Sequence, residues 1–379
     1  MKTAYGVISA LIILLASCKG PTSSSPSPSP SPAWQVSTLA GSGTAGHQDG
    51  AAATAQFSGP TGVAVDSSGN VYVADRNNHR IRKITEEDDG TWQVSTLAGS
   101  GTAGHQNGAA AAARFNLPSG VAVDSSDNVY VADRSNHRVR KITEEDDGTW
   151  TVSTLAGSGT SGHVNGAGAA ARFNYPTGVA VDSSGNVYVA DVFNDRIRKI
   201  TKEKDGTWRI DDFAGSDTGG HQDGVAATAR FISPYGVAVD SSDNVYVADY
   251  FDQRIRKITE EDNGTWQVST LAGSGTRGHQ DGAGAAARFD SPSGVALDSS
   301  DNVYVADRSN HRIRKITEED DGTWQVSTLA GSGTRGHVNG AAATARFDWP
   351  YGVALDSSGN VYVADYGNHL IRKMEYRVP

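Results

Sequence analysis

The sequence is poor in cysteine and has no long apolar run. Its 379 residues include one cysteine, Cys18, and two methionines. A single cysteine excludes a disulfide within the chain. The most apolar stretch, "AYGVISALIILL", has about a dozen residues, whereas a membrane-spanning helix needs about twenty. We therefore expect no membrane-spanning helix.

The sequence also contains fewer basic residues than acidic residues. There are 33 lysines and arginines against 43 aspartates and glutamates, which gives a formal net charge of −10 at pH 7. Binding to nucleic acid phosphates requires a clustered basic surface. We therefore expect no nucleic-acid partner.

The first 33 residues have the composition of an export and anchoring segment. Lys2 precedes the apolar stretch, and "LASC", which resembles the lipobox of bacterial lipoproteins, follows it. We expect residues 1–17 to be a lipoprotein signal peptide, with lipid attached at Cys18. Residues 18–33 contain "PTSSSPSPSPSP" and are expected to form an extended linker. This predicts a lipid-anchored, extracytoplasmic protein of a bacterial cell envelope, on the periplasmic or cell-surface side.

The rest of the chain, residues 34–379, repeats a unit of 58 residues. The recurring residues are Trp34, Trp92, Trp150, Trp208, Trp266 and Trp324, together with Asp75, Asp133, Asp191, Asp249, Asp307 and Asp365. A fixed period of this kind is typical of a repeat architecture. We therefore treat residues 34–379 as one domain of six copies.

Each copy contains four short segments with the composition of β-strands. In the first copies they read "WQVSTLAG", "GVAVD", "VYVAD" and "RIRKIT". The links "DSSGN" and "TEEDDGTW" are typical of tight antiparallel hairpins. Six units with four antiparallel strands each predict an all-β protein, a six-bladed β-propeller.

The phase of the repeat favours a closed ring over an open solenoid. The domain starts on the outermost type of strand at Trp34 and ends at "LIRKM" with that strand missing. An open stack would require atypical capping repeats at its ends. We expect residues 34–41 to pair with the strand at residues 370–374 and to complete the sixth blade.

Two kinds of connection share one face of such a propeller, which we call the top face. They run from the outer strand to the inner strand and from the second strand to the third. The first kind contains alanine-rich stretches such as "HQNGAAAAARFNLPSG". We expect short helical turns in these loops, capped by residues such as Asn107 and docked through Phe115.

The segment "PTGVAVDSSGNVYVADRNNHRIRK" resembles the NHL repeat, and the six copies together are similar to an NHL-type six-bladed propeller. The copies depart from the motif at Asp243, and at Asp195 and Gln253, where the motif has histidine. The resemblance implies a binding platform in most cases, although some relatives are lyases or metal-dependent hydrolases.

Comparison of the six copies shows that the top connections vary most. Aromatic residues occur there in copies three, four and six, at Tyr175, Phe193, Tyr235, Tyr250, Phe251, Trp349, Tyr351 and Tyr366. Copies one, two and five have arginine at Arg76, Arg134 and Arg308. Aromatic rings with polar neighbours favour a ligand site, while packing between blades or plugging of the channel is the alternative.

The last copy differs from the others at Leu370, where they have arginine. If Asp75 pairs with Arg80, and the equivalent residues do the same, Asp365 lacks a partner. We hypothesise that Asp365 is then a free acceptor on the top face for a ligand hydroxyl or amine. The alternative is that Leu370 only packs on the closing strand.

Enzymatic sites are less well supported by the sequence. All ten histidines repeat by copy rather than converging, which favours structural roles over a zinc site. A metal at the channel mouth could use Asn116, Asn174, Asp290 and Asp348, although such residues also cap turns. We therefore expect no cofactor and no catalytic residue, and a hydrolase or lyase with a metal at the channel mouth remains the alternative.

The sequence as a whole predicts a binding or scaffold propeller. Its partner would be a protein, peptide or glycan bound on the top face, and the protein would be a monomer held to the membrane by the lipid at Cys18.

Overall fold

The computed structural model describes Met1 and residues 33–377. The signal peptide, the lipidation site at Cys18 and the linker predicted for residues 1–33 lie outside this part, apart from Met1 and Ala33. Within it, six antiparallel sheets of five strands each form a six-bladed β-propeller. The predicted architecture is confirmed, with five strands per blade instead of four.

The additional strand in each blade has two residues and lies on the outer edge. It pairs with the strand that begins at the repeated tryptophan, as in Gly50↔Val94. The six two-residue strands are β2 Gly50–Ala51, β7 Gly108–Ala109, β12 Gly166–Ala167, β17 Gly224–Val225, β22 Gly282–Ala283 and β27 Gly340–Ala341. A very short edge strand offers little template for pairing with another chain.

The four main strands of each blade follow the four repeated segments. The innermost strands, which line the central channel, are β3 Pro60–Val65, β8 Val121–Val123, β13 Pro176–Val181, β18 Pro234–Val239, β23 Pro292–Leu297 and β28 Pro350–Leu355. The second strands are β4 Val71–Asp75, β9 Val129–Asp133, β14 Val187–Asp191, β19 Val245–Asp249, β24 Val303–Asp307 and β29 Val361–Asp365.

The third strands are β5 Arg80–Glu86, β10 Arg138–Glu144, β15 Arg196–Lys202, β20 Arg254–Glu260, β25 Arg312–Glu318 and β30 Leu370–Arg377. The tryptophan strands are β1 Ala33–Ala40, β6 Trp92–Ala98, β11 Trp150–Ala156, β16 Trp208–Ala214, β21 Trp266–Ala272 and β26 Trp324–Ala330. Together they give a regular meander with the two-residue strand on its outside.

The ring is closed by strand β1. It pairs with β30 from Ala33↔Arg377 to Ala40↔Ile371, and its other edge pairs with β27. The sixth blade therefore combines the first strand of the domain with the last three main strands, as the phase of the repeat predicts. Val36 of β1 is 2% exposed and packs with Met374 and Val361.

The hydrophobic core lies between neighbouring blades. One cluster, for example, joins Val63, Val71 and Val73 of the first blade to Tyr362 and Ala364 of the sixth. Five further clusters are built on the same plan. Each blade therefore depends on both neighbours for the burial of its apolar side chains.

The helical turns of the top loops are short 3-10 turns. Their bounds are Arg76–Asn78, Arg134–Asn136, Val192–Asn194, Gly284–Ala286, Arg308–Asn310 and Tyr366–Asn368. No longer helix occurs in residues 33–377. That part of the chain also contains no helix with the length and hydropathy of a membrane span.

In the alanine-rich stretch of the second copy, the expected cap at Asn107 is wrong, and a single turn forms where one or two helical turns were expected. The segment forms strand β7 and a single tight turn, in which the Ala113 backbone N–H donates to the Ala109 carbonyl at 3.0 Å. The Asn107 side chain instead accepts from the Arg140 guanidinium at 2.7 Å. Phe115 docks as expected and is fully buried. So short a helix gains too few hydrogen bonds to outweigh its nucleation cost, whereas sheet pairing is available at once.

Candidate ligand-binding face

The top face surrounds the mouth of the central channel. Six side chains stand there, each from the residue that directly follows a second strand, and we call them the collar. The collar consists of Arg76, Arg134, Val192, Tyr250, Arg308 and Tyr366. In five blades the collar residue opens a 3-10 turn, and in the fourth it opens a non-helical turn. The fold therefore brings six variable positions into one ring.

The predicted aromatic residues lie on this face, with different degrees of exposure. Phe193, Phe251 and Trp349 are 53%, 51% and 36% exposed. Tyr175, Tyr235, Tyr250 and Tyr366 are half-buried. Tyr351 is buried. Large exposed rings at a channel mouth are apolar area that is available for a ligand.

Six of the eight aromatic residues form one connected cluster. Tyr235 contacts Tyr250 and Tyr351, with ring centroids 4.7 and 5.6 Å apart. Phe251 packs against Tyr250, and Tyr366 lies 6.0 Å from Tyr351. The guanidinium of Arg308 lies over both Trp349 and Tyr351, at 5.1 and 5.7 Å from their ring centroids, and so joins Trp349 to the cluster.

Tyr175 and Phe193 form a separate pair in the third blade. Their ring centroids are 5.2 Å apart, and Arg134 lies over the Tyr175 ring at 4.8 Å. The face therefore has two aromatic areas, each of which includes an arginine of the collar. Cation–π contacts of this kind hold both partners in place.

The channel beneath the collar is narrow because the innermost strands approach each other backbone to backbone. A Cβ atom at Gly178 would lie 2.4 Å from the Tyr235 carbonyl oxygen, and Gly62 and Gly294 have equally close neighbours. The cavity in the channel has a volume of about 70 Å3, which is room for only a few water molecules. A ligand larger than this must sit at the mouth.

Tyr351 combines two of the roles considered for the aromatic residues. Its ring lies at the channel and is buried, as expected for a residue that plugs the mouth. Its hydroxyl oxygen is buried without a hydrogen-bond partner in residues 33–377. Burial raises the pKa of Tyr351 well above its ordinary value, and Tyr235 adds to this rise, while the charges of Arg76 and Arg134 oppose it.

The hypothesis that Asp365 is a free acceptor is wrong, because Asp365 is fully buried and paired with Arg372 at 2.9 Å. The aspartate that ends each second strand pairs with the second arginine of the next strand, not the first, so Asp75 pairs with Arg82 at 2.8 Å. Burial raises the pKa of Asp365 to about 6, against the opposing effect of the Arg372 charge and of several hydrogen bonds.

The alternative explanation of Leu370 is correct. In the first blade the equivalent Arg80 donates to the carbonyl oxygens of Asn78 and Ser100. In the sixth blade that neighbouring segment is the closing strand, and Leu370, 1% exposed, packs there against Gly41. Leucine therefore contributes apolar contact where the first and last main strands of the propeller meet.

The histidines that precede the third strands connect neighbouring blades. The backbone N–H of Leu117 donates to Nδ1 of His79 at 3.1 Å, and His137, His311 and His369 make the same bond to Tyr175, Trp349 and Gly59. Asp195 and Gln253 replace histidine without losing the contact, because their side-chain oxygens accept from Ser233 and Ser291. We call these six contacts the blade latches.

The other six histidines, one in each copy of the repeat, also make contacts within the fold. His47 Nε2 lies 3.0 Å from Thr96 Oγ1 on the adjacent tryptophan strand, and the remaining members repeat this with threonine or aspartate. Every histidine of the chain is therefore accounted for by a contact within the fold. Burial is the main cause that lowers the pKa of most of them, and it lowers that of His105 to about 4.

The four residues considered as metal ligands make hydrogen bonds within their own blades. The backbone N–H groups of Asn116, Asn174, Asp290 and Asp348 each donate to the aspartate that ends the second strand of the same blade. The Asp348 carboxylate also pairs with Arg335 at 2.8 Å. In residues 33–377 no three His, Cys, Asp or Glu side chains are grouped so that they could hold a metal ion.

The collar arginines are site residues that the sequence reasoning did not assign. Arg76, Arg134 and Arg308 were visible as the counterparts of aromatic residues in other copies, but their convergence on one mouth depends on the ring. The available signal was their position, since they occupy the same place in the repeat as Tyr250 and Tyr366.

Comparison with known proteins agrees with this architecture. The NHL repeat pattern matches residues 57–84, 115–142, 173–200, 289–316 and 347–374. The remaining copy, around residues 231–258, has the divergent top loop "YFDQ".

Among similar sequences, Protein SUPPRESSOR OF QUENCHING 1, chloroplastic, of Arabidopsis thaliana is 31% identical over 85% of this chain and 31% of its own length. Human NHL repeat-containing protein 2 is 30% identical over 83% of this chain and 46% of its own length. The chain thus spans less than half the length of these curated relatives.

Among solved structures, an auxiliary nutrient binding protein from Bacteroides ovatus superposes with a TM-score of 0.67 at 16% identity. The superposition covers 92% of this chain and 78% of that chain. At this level of identity the similarity concerns the fold.

Proposed function

Because the chain carries NHL repeats and folds as a six-bladed β-propeller, we propose that it is an extracytoplasmic binding protein that recognises a protein, peptide or glycan on its top face. The observation that supports this most directly is the exposure of Phe193, Phe251 and Trp349 around one channel mouth. Proteins seldom leave several large rings exposed on one face without a partner for them.

A glycan is the ligand class that we favour. Exposed aromatic rings offer flat apolar surfaces on which the C–H faces of sugar rings can pack. A peptide that binds by strand addition would need a long open sheet edge, and the outer edges here carry the two-residue strands. The similarity in fold to an auxiliary nutrient binding protein is consistent with this choice.

The proposal includes a lipid anchor at Cys18 with residues 18–33 as the tether, and a monomeric propeller. "LASC" and the proline- and serine-rich stretch after it support the anchor. Mass spectrometry of the chain purified from bacterial membranes should find the acyl mass on a peptide that starts at Cys18. A chain that retains residues 1–17 without this mass would contradict it.

No specific observation favours the alternative of a hydrolase or lyase with a metal at the channel mouth. Its candidate ligands, Asn116, Asn174, Asp290 and Asp348, stand at one repeated position in four different blades. Metal analysis of the purified chain, together with assays on lactones, would detect such an activity.

The binding proposal is tested by replacing the three exposed rings. The full chain should bind one or more polysaccharides on an array of bacterial and plant glycans. The triple variant Phe193→Ala, Phe251→Ala and Trp349→Ala should bind them at least about tenfold more weakly, which corresponds to ~1.4 kcal/mol. The cause would be the loss of apolar contact area at the mouth.

Tyr376→Ala is the matched control for this experiment. Tyr376 is 55% exposed and lies on strand β30, where its ring packs edge to face against Trp34. Its removal should leave glycan binding unchanged. Equal binding by the triple variant and the wild-type chain, or binding to peptides instead of glycans, would contradict the choice of ligand.

A further inference from the structure

The three collar arginines have no acidic partner. Arg76, Arg134 and Arg308 form no ion pair within 4.0 Å in the described part of the chain, and the Nε atom of each is buried without a hydrogen-bond partner. The side chains of Arg76 and Arg134 donate no hydrogen bond to the protein in residues 33–377, and Arg308 donates one, to the Tyr250 hydroxyl at 2.8 Å.

The buried arginines of the third strands differ in having acidic partners, although the Nε atom of most of them is likewise without a hydrogen-bond partner. Arg82, for example, pairs with Asp75 and with Asp49 and also donates to two backbone carbonyls. A guanidinium that is half-buried without a counter-charge raises the free energy of the folded state. The collar therefore retains three unneutralised charges in a chain whose net charge is −10.

The three charges share the channel mouth with Tyr351. Arg308 lies over the Tyr351 ring at 5.7 Å, and Arg76 and Arg134 occupy the equivalent collar positions of two other blades. The charges of Arg76 and Arg134 also act to lower the pKa of Tyr351, against the larger effect of burial. The oxygen of the Tyr351 hydroxyl, like the Nε atoms of the three arginines, has no hydrogen-bond partner within residues 33–377. Apart from the bond from Arg308 to Tyr250, the guanidinium groups and the Tyr351 hydroxyl thus form a set of donors without acceptors.

The aspartates of the neighbouring top loops do not neutralise the charges of the three collar arginines. Asp348 pairs with Arg335, and Asp252 pairs with Arg254 at 2.6 Å. Asp290 accepts a hydrogen bond from the Ser291 hydroxyl at 3.1 Å. The donors are therefore open to an acceptor that comes from outside the chain.

We propose that the collar binds the anionic group of an acidic saccharide, a carboxylate or a sulfate, through Arg76, Arg134, Arg308 and the Tyr351 hydroxyl. Arginine forms short bidentate hydrogen bonds to oxyanions, and these are stronger when partly shielded from water. With about 70 Å3 free in the channel, the anion sits at the mouth and its sugar ring lies on the aromatic cluster. This inference rests on the proposed function and specifies the ligand class.

The test uses the full chain and small probes. D-glucuronate, N-acetylglucosamine 6-sulfate and glucose are titrated separately at constant ionic strength, and binding is followed by NMR or calorimetry. The carboxylate or the sulfate probe should bind at least about tenfold more tightly than glucose. The probe that binds identifies the source of the charge, and no preference of either anion over glucose would overturn the inference.

The variants are Arg76→Gln, Arg134→Gln and Arg308→Gln, singly and combined. The combined variant should lose the preference for the anionic probe, while its affinity for glucose stays within about twofold. Arg209→Gln is the control, because Arg209 is an exposed arginine of a tryptophan strand away from the mouth. Retained anion preference in the combined variant would also overturn the inference.

The outcomes of these titrations separate this inference from the proposed function. If the combined variant does not fold, Arg76→Gln and Arg134→Gln decide the matter, because these side chains make no hydrogen bond that folding would miss. If neutral glycans bind through the exposed rings and the arginine variants change nothing, the inference is wrong and the proposed function stands. If no glycan binds at all, the inference and the choice of a glycan as the ligand class are both wrong.

Discussion

At the residue scale, the blade latches show how one backbone contact is preserved by different side chains. His79, Asp195 and Gln253 all accept a backbone N–H from the next blade, and all three have a left-handed φ of 50° to 59°. Only the histidine version requires a neutral ring, since Nδ1 must accept. Replacement within the repeat therefore conserves the acceptor and changes its response to pH.

This difference makes stability depend on pH in a predictable direction. Burial is the main cause that lowers the pKa of His79, His137, His311 and His369 below 6.5. The unfolded chain then binds protons first as the pH falls. The contribution of these histidines to stability is present above ~6.5 and is lost as the pH falls towards their folded pKa values.

We expect the variant with glutamine at these four positions to lose less stability than the wild-type chain between about pH 7 and about pH 5. Glutamine can accept the same N–H, as Gln253 does at 2.7 Å, and it does not titrate. The free energy of unfolding in denaturant, measured across this range, gives the comparison. Alanine at the same positions should lower stability at every pH, and identical pH profiles for wild type and the glutamine variant would refute the role.

At the element scale, strand β1 has a role that no other strand shares. It supplies the tryptophan strand of the sixth blade and covers the edge of β30 over the whole register from Ala33↔Arg377 to Ala40↔Ile371. Without it, no strand pairing would close the ring at this point, and the first and sixth blades would be joined by side-chain packing, the close approach of their innermost strands and the latch from Gly59 to His369. An uncovered β30 would also be an open edge.

Removal of β1 should therefore weaken the whole domain. A chain that starts at residue 42 should melt at a markedly lower temperature than a chain that starts at residue 33, because the backbone pairing and the Val36 contacts are lost. A synthetic peptide of residues 33–41 should restore part of the difference. Equal melting temperatures for the two chains, measured by circular dichroism, would show that closure by this strand is not needed.

At the scale of the whole molecule, the radius of the channel is set by glycine. Six glycines allow the inner backbones to touch; five lie within innermost strands and one directly precedes β8. They are Gly62, Gly120, Gly178, Gly236, Gly294 and Gly352. Between neighbouring strands the Thr61 hydroxyl donates to the Ser119 carbonyl at 2.9 Å. The innermost strands thus stand in a closed ring of close contacts. The width of this ring determines how close the collar residues are to one another.

Gly178→Ala should consequently lower the free energy of unfolding by about 1–3 kcal/mol, the usual cost of overpacking. The added Cβ would meet the Tyr235 carbonyl oxygen at 2.4 Å, and backbone atoms cannot move aside cheaply. Gly46→Ala is the control, because its new Cβ would meet the flexible end of the Gln56 side chain. Similar stability of both variants in urea unfolding would contradict this account of the channel.

Most of the fold could be predicted from the sequence because the same pattern of strand-type segments occurs six times. The spacing of 58 residues and the strand-type segments led to six blades, and the phase of the ends led to closure by the first strand. The two-residue strands were missed, since "GA" carries no strand signal of its own. The Asn107 cap was predicted wrongly because the start of the alanine-rich stretch pairs as a strand and the Asn107 side chain accepts from Arg140.

The candidate site was predicted only in outline. The aromatic residues of the top face were found from their variation between copies, and the fold places them around one mouth. Asp75 was expected to pair with Arg80 because the two residues face each other across a hairpin, and the strand register does place them opposite each other. The ion pair is nevertheless made by Arg82, while Arg80 donates to the carbonyl oxygens of Asn78 and Ser100. The equivalent pair with Arg372 removes Asp365 from the ligand site.

By itself, the sequence determined the number of blades, the order of the strands in each and the way the ring closes, because these follow from periodic patterns along the chain. Only the tertiary structure decided which aspartate meets which arginine, what the histidines bind, and that three unpaired arginines share one mouth. The aspartate–arginine pairs join residues seven positions apart, but the direction of the arginine side chains is a property of the packed blade. The histidine contacts join residues 38 or more positions apart, and the three arginines are 58 or more positions apart, so both depend on the curvature of the ring.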